Sequence, residues 1–285
     1  MSSVDITTVP INVASIRLIE ETGHSLVFVS KWKGQQVIIK RSRETESSKA
    51  VARWRNEVAI LSRLGQHVSI DLNNITHLLD SSSHELSLTL RYEPGQSLDR
   101  SVYPLMMSTL PRPACDLLLL QMSDALTYLH SRSIVHDDVK PENIVWSSED
   151  RRAVLIDFGA AFVLTAAGPQ ARFVPSGTPP YVPPEFLQRR KGEQGDVWAL
   201  GVVMLFALGW LALPDGDWLL PSVFEEGEDR REMKRWLEGI ERSRRAVVEK
   251  DPLVGRMLEP DPDARIGSRE LRDRVALISA TSSPR

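Results

Sequence analysis

Two kinds of apolar spacing divide this chain. In its first third the hydrophobic positions come in short β-branched runs, SLVFVSKW and QQVIIKR, which flank a Lys-Gly turn and predict an antiparallel hairpin. SKAVARWRNEVAILSRL then changes to helical spacing, with Val51, Trp54, Val58 and Leu61 on one face. THLLD and ELSLTLRY, on either side of the polar turn SSSH, predict two further strands. After YEPGQSL the pattern becomes helical. ACDLLLLQMSDALTYLHS is an amphipathic helix, a hydrophobic helix is predicted over 197–213, and an exposed mixed-charge helix over 229–250. The expected architecture is α+β and bilobal. A tail (1–14) leads into a small β-rich lobe with one helix (15–92), then a larger, mainly helical lobe (93–278) and a second tail (279–285).

Within the helical part, NIVW, SSEDRR and AVLIDFG read as strand, polar turn and strand. A hairpin brings its open ends together, so Asn143 at its start and Asp157 at its finish are expected to be neighbours, with Asp138 shortly before Asn143. Three converging oxygen-bearing side chains suit a hard cation such as Mg²⁺.

Bulk properties narrow the classes. With 285 residues, 42% hydrophobic and 26% charged, the chain has the composition of a globular protein with a substantial core. A net charge of −3 gives no electrostatic reason to expect nucleic acid or an anionic membrane as partner. One cysteine, Cys115, excludes an intrachain disulfide and favours a reducing, intracellular setting, cytoplasmic or nuclear. The first residues lack a basic region followed by an apolar core, so no signal peptide is expected. VWALGVVMLFALGWLAL carries no charge over roughly 17 residues, the lower edge of the membrane-spanning range. Asp196 and Asp215 bound it and two glycines interrupt it, so it is read as the central helix of a core.

The ordered motifs resemble the eukaryotic protein kinase family over roughly residues 15–275: VIIK with Lys40, RNEVAIL with Glu57, HDDVKPEN (136–143), DFG (157–159), GTPPYVPPE (177–185), DVWALG (196–201) and DPDAR (261–265). The resemblance implies a bilobal kinase fold and transfer of the γ-phosphoryl group of ATP to protein Ser/Thr hydroxyls. Its catalytic set would be Asp138, Lys140, Asn143, Lys40 and Glu57. Lys40 would hold the α/β-phosphates and Glu57 would orient it; Asn143 and Asp157 would bind Mg²⁺. Asp138 would receive the substrate hydroxyl, and Lys140 would screen the γ-phosphate. ATP would also meet Gly23, Val27 and the hinge from Leu90 through Tyr92 to Glu93, with Leu90 as gatekeeper. His136 would pack beneath the DFG turn, Asp196 would brace the loop amides, Thr178 would contact Asp138 and Lys140, and Arg265 would pair with Glu185. Lys140 followed by Pro-Glu-Asn, together with Thr178, resembles the Ser/Thr kinases and not the tyrosine kinases.

Two departures matter. The glycine-rich loop is degenerate: Glu20, Thr22 and Ser25 occupy its three glycine positions, and Gly23 falls between them, which predicts weakened ATP binding. Asp137 stands where regulated kinases carry an Arg that pairs with a phosphorylated activation segment, so phosphorylation there is not expected to activate by that route. Arg172, in the segment AAFVLTAAGPQARFVPSGT, is a candidate partner of Asp137 in a charge swap; the alternative is a solvent-facing Arg172 and an Asp137 capped by backbone amides. The alternative functions are a pseudokinase scaffold or, by its HxDxxxxN pattern, a small-molecule phosphotransferase of the aminoglycoside-kinase type; the latter usually lacks the GTxxYxxPE and DVWxxG elements.

Overall fold

A computed structural model describes residues 16–65, 74–102, 106–165 and 173–282. Within them the chain divides after Glu93 into two compact units, with residues 74–75 belonging to the second.

The first unit is an antiparallel sheet with one helix. β1 (Arg17–Glu21), β2 (Ser25–Trp32), β3 (Gln35–Ser42), β4 (Leu78–Ser82) and β5 (Ser87–Arg91) pair in the order β1-β2-β3-β5-β4. The Lys33–Gly34 turn sets the β2–β3 register, in which Val27 lies opposite Lys40 and Trp32 opposite Gln35. Successive side chains of β3 face opposite ways, so Val37 and Ile39 are buried while Lys40 emerges on the other face. α1 (Ser48–Gly65) buries Ala50, Glu57, Ile60, Leu61 and Leu64, and Trp54 is fastened to the sheet by Nε1 donating to the Ser87 carbonyl at 3.0 Å.

The second unit is built around helices. α2 (Arg112–His130) and α3 (Glu193–Ala207) pack together, α6 (Ser268–Ser282) lies against α2, and α5 (Pro252–Met257) lies against α3. Beside them sit β6 (Gln96–Ser97), β8 (Ile144–Ser147) and β9 (Arg152–Leu155), which form a small sheet in the order β6-β8-β9. β7 (Ile134–Val135) pairs with β10 (Phe162–Val163). Cys115 is a buried thiol donating to the Ala207 carbonyl, and burial pushes its pKa up to about 11.

The hydrophobic helix expected over 197–213 starts earlier and stops earlier. α3 ends at Ala207 because Gly209 takes a left-handed φ of +72°. The Gly209 amide then donates back to Phe206 and the Trp210 amide back to Leu205, each at 2.9 Å, the paired bonds of a glycine-terminated helix. What remains is a helix of 15 residues, buried from Asp196 to Ala207. Among the described residues no helix is long and apolar enough to cross a membrane.

α4 (Glu228–Val247) also differs from its expected character. It carries the foreseen charge pairs, such as Arg245–Glu241 at 2.8 Å, yet Met233, Ile240 and Val247 form a buried stripe. Met233 joins Val182, Phe186, Trp218, Leu220 and Val223 in one apolar cluster.

Candidate active site

In the first unit, Lys40 on β3 meets Glu57 on α1. Its Nζ lies 2.9 Å from Oε1 and 3.2 Å from Oε2, and Glu57 is only 4% exposed. A buried carboxylate on an otherwise apolar helix face is tolerable only with such a partner, and the partner fixes the lysine in turn. Leu90 is buried on β5 opposite Ile38, followed by half-buried Tyr92. Glu93 is buried, its carboxylate 2.6 Å from Arg91 Nε.

Between β1 and β2 the degenerate loop is a tight turn closed by its own residues. Thr22 Oγ1 accepts from the amides of Ser25 (3.0 Å) and His24 (3.3 Å), and a side chain at Gly23 would meet open space. Glu21 is paired with Arg43 at 2.6 Å.

In the second unit, Asp196 near the start of α3 organises the loop 136–143. Its two oxygens accept from the amides of His136 and Asp137, each at 2.9 Å, and Oδ2 also lies 3.0 Å from His130 Nε2. His130 contacts Ser268 through its other ring nitrogen at 2.8 Å. The brace is needed because Asp137 has a φ of +65°, a conformation that non-glycine residues hold only when their surroundings impose it. His136 is fully buried, edge-on to Phe158 of the DFG turn at 4.9 Å, with Nε2 placed to donate to the Ile156 carbonyl at 3.1 Å. No motif marks His130 in the sequence; its place beside Asp196 depends on packing between α2 and α3.

Asp138 sits within a set of donors. Thr178 Oγ1 donates to Oδ1 at 2.6 Å and itself accepts from Lys140 Nζ at 2.7 Å. Lys140 Nζ also lies 3.1 Å from Oδ2, and Asn143 Nδ2 donates to the same oxygen at 3.0 Å. The β8–β9 hairpin pairs Ile144 with Leu155, and the Ile156 amide donates to the Asn143 carbonyl at 2.9 Å, so the strand ends place Asn143 beside the chain entering Asp157. Asp157 has a φ of +58° and accepts from the Gly159 amide at 3.0 Å.

Arg172 lies outside the described residues, and the Asp137 carboxylate is taken by Lys191 and Ser176. Lys191 Nζ is 2.5 Å from Oδ2, and Ser176 Oγ donates to that oxygen at 2.6 Å. Lys191 also donates to Ser176 Oγ (2.7 Å) and to its carbonyl (3.0 Å), tying the segment 174–178 to the loop. Both charged side chains are about nine-tenths buried, at 9% and 10% exposure. Burial is the largest influence on each: it raises the Asp137 pKa to about 7 and lowers that of Lys191, while each partner pulls the other back towards its charged form.

The end of the segment is anchored twice. Arg265 makes a two-pronged pair with Glu185, at 2.7 and 2.9 Å, with both side chains buried. Phe173 stacks edge-on against Phe186 and Phe224, and Trp236 Nε1 donates to the Pro180 carbonyl at 2.8 Å. No cluster of three or more His, Cys, Asp or Glu suited to a metal occurs among the described residues.

The sequence matches the family described as protein kinase domain over residues 21–275, and the chain belongs to that family. Similar proteins include CBL-interacting protein kinase 4 of Oryza sativa subsp. japonica, 30% identical over 75% of this chain and 45% of that protein. Maternal embryonic leucine zipper kinase of Xenopus tropicalis is 28% identical over 88% of this chain and 36% of its own length. Serine/threonine-protein kinase ppk34 of Schizosaccharomyces pombe is 28% identical over 76% and 58%. The chain thus spans less than two thirds of each of these relatives.

Proposed function

We propose that this chain is a protein serine/threonine kinase that uses Mg-ATP and does not need a phosphorylated activation segment. The observation that carries the reading is the Thr178 hydroxyl, which donates to Asp138 while accepting from Lys140. That arrangement orients a carboxylate and an ammonium together at the place where a hydroxyl nucleophile would be received. The serine/threonine class of the relative from Schizosaccharomyces pombe agrees with it.

The residues fit the implied cofactors. Asn143 Nδ2 is committed to Asp138, which leaves the side-chain oxygen for a hard cation, and the Asp157 carboxylate adds a second oxygen donor of the type Mg²⁺ prefers. When bound, the metal would neutralise phosphate charge. Lys40, held by Glu57, would bind the α/β-phosphates, and backbone groups from Leu90 to Glu93 would bind adenine. Asp138 would accept the hydrogen bond, and then the proton, of the attacking Ser or Thr hydroxyl. Lys140 would sit against the γ-phosphate. The buried Lys191–Asp137–Ser176 contact would hold the segment where other kinases use an Arg–phosphate pair. Cys115, buried as a thiol, suits a reducing intracellular setting.

The test is transfer of label from γ-labelled ATP to a basic protein or to the chain itself. Transfer is expected to be unchanged by prior phosphatase treatment and to fall by at least a hundredfold in Asp138→Asn. Folded wild-type protein that binds Mg-ATP but transfers nothing would support the second reading, a pseudokinase scaffold. The closed turn at Thr22 favours that reading to the extent that it weakens the grip on phosphate.

A further inference from the structure

The turn joining β1 to β2 spends its backbone donors on itself. Thr22 Oγ1 accepts from the amides of Ser25 at 3.0 Å and His24 at 3.3 Å, and lies 3.1 Å from Ser25 Oγ. The Thr22 amide donates to the Ser25 carbonyl at 2.9 Å. From Thr22 to Ser25, only the Gly23 amide has no acceptor among the described residues. Arg43, just past β3, fastens the turn from one side: Nη1 donates to Glu21 Oε1 (2.6 Å) and to the Thr22 carbonyl (3.3 Å), and its amide donates to the His24 carbonyl at 3.0 Å.

A loop that grips phosphate does so by presenting several amides outward to one anion. Here two of them point inward at a neutral hydroxyl. Of the two acids beside the turn, Glu21 is paired with Arg43, and Glu20 is unchanged in every variant at Thr22, so its charge does not explain a difference between them. A side-chain hydroxyl is needed for this closure: glycine has no oxygen to offer, and valine has the shape of threonine without an acceptor.

We propose that Thr22 is the positioning residue that sets how weakly this chain holds nucleotide phosphates, by withholding the His24 and Ser25 amides. Binding of ATP phosphates then rests on Lys40 and the metal ligands, so the inference deepens the ATP-dependent reading above and depends on it. Thr22→Val releases both amides with little change of volume, Thr22→Gly releases them with added freedom, and Thr22→Ser keeps the acceptor.

The experiment is calorimetric titration of wild type and the three variants with Mg-ATP and, separately, with adenosine, which has no phosphate. Thr22→Val and Thr22→Gly are expected to bind Mg-ATP about tenfold more tightly, the gain of one net hydrogen bond to a charged acceptor. Adenosine affinity should stay unchanged, and Thr22→Ser should match wild type for both ligands. Unchanged or weaker Mg-ATP binding in both releasing variants overturns the proposal, as does a parallel tightening for adenosine. If wild type and all variants bind neither ligand, the ATP-dependent reading falls as well, which separates the two failures.

Discussion

Replacing Lys191 by Met tests the buried Asp137–Lys191 contact, proposed above to take the place of a phosphate-bound segment. The substitution keeps much of the side-chain volume and removes the cation that lies 2.5 Å from Asp137 Oδ2. Removing one partner of a buried ion pair commonly costs about 3–5 kcal/mol, because the other charge is left without compensation. Asp137 has an escape, since burial has already raised its pKa to about 7 with Lys191 present. Without Lys191 it shifts further up and binds a proton near neutral pH, each further unit being worth about 1.4 kcal/mol. The expected net loss at pH 7.5 is therefore roughly 2–3 kcal/mol, at or below the lower end of that range. For a chain of this size it corresponds to a fall in Tm of roughly 4–10 °C.

The assay pairs thermal unfolding with phosphoryl transfer. Lys191→Met should melt early and lose kcat with little change in the KM for ATP, because the contact orders the segment next to Asp138 and not the nucleotide. The double variant Asp137→Asn, Lys191→Met removes both charges while leaving Ser176 an acceptor, and should regain most of the lost stability. A single variant that melts with wild type refutes the reasoning. So does a double variant whose loss is the sum of the two single losses, since coupled neighbours do not add.

Two further outcomes follow from buried charge. Between the ordinary Asp value of 3.8 and about 7, the folded chain holds a proton on Asp137 that the unfolded chain has released, so this group's contribution to stability falls as pH rises through that window. The ion pair itself has the opposite dependence: it forms as Asp137 ionises above about 7, against the opposing charge of Asp196, and lasts until Lys191 deprotonates below its usual 10.5. A pH profile of kcat should accordingly rise with a midpoint near 7, and the same limb in Asp137→Asn would contradict the assignment. Arg265→Met strands Glu185, which is 4% exposed, and should lower unfolding stability by about 3–5 kcal/mol in a urea titration; an unshifted midpoint would show the pair to be dispensable.

What the sequence made legible were arrangements set by local pattern. The strand–turn–strand reading of NIVW to AVLIDFG was enough to expect Asn143 beside the start of the DFG motif, because hairpin ends meet whatever the rest of the chain does. The end of α3 was not legible, because Gly201 and Gly209 look alike in one dimension. Gly201 stays helical, where a side chain would collide with Leu258 at 2.9 Å; Gly209 takes a positive φ and stops the helix. Lys191 was missed for a related reason. It lies 54 residues from Asp137, last in an Arg-Arg-Lys run, and no periodicity says which of three bases turns inward. Burial decides it: Arg190 reaches out to the exposed Asp263, Arg189 lies over Phe224, and Lys191 alone of the three reaches Asp137.

The two departures from the family pattern have different consequences for control. With a carboxylate at position 137, a phosphate on the neighbouring segment would meet like charge, at a cost of about 4 kcal/mol per pair at 4 Å in partly buried surroundings. On the proposed reading, the contact with Lys191 would put an encoded cation where other kinases use a removable phosphate. On the reading proposed above, adding phosphate to this segment is not expected to gate it by the usual Arg–phosphate route. Gating would then act on the protonation of the contact itself or on a different step. The Thr22 turn would offer such a step, because the proposed change in nucleotide affinity rests on contacts within the first unit. If both proposals hold, an assembled catalytic loop combined with a self-satisfied turn at Thr22 predicts a kinase whose output follows ATP concentration more closely than segment phosphorylation.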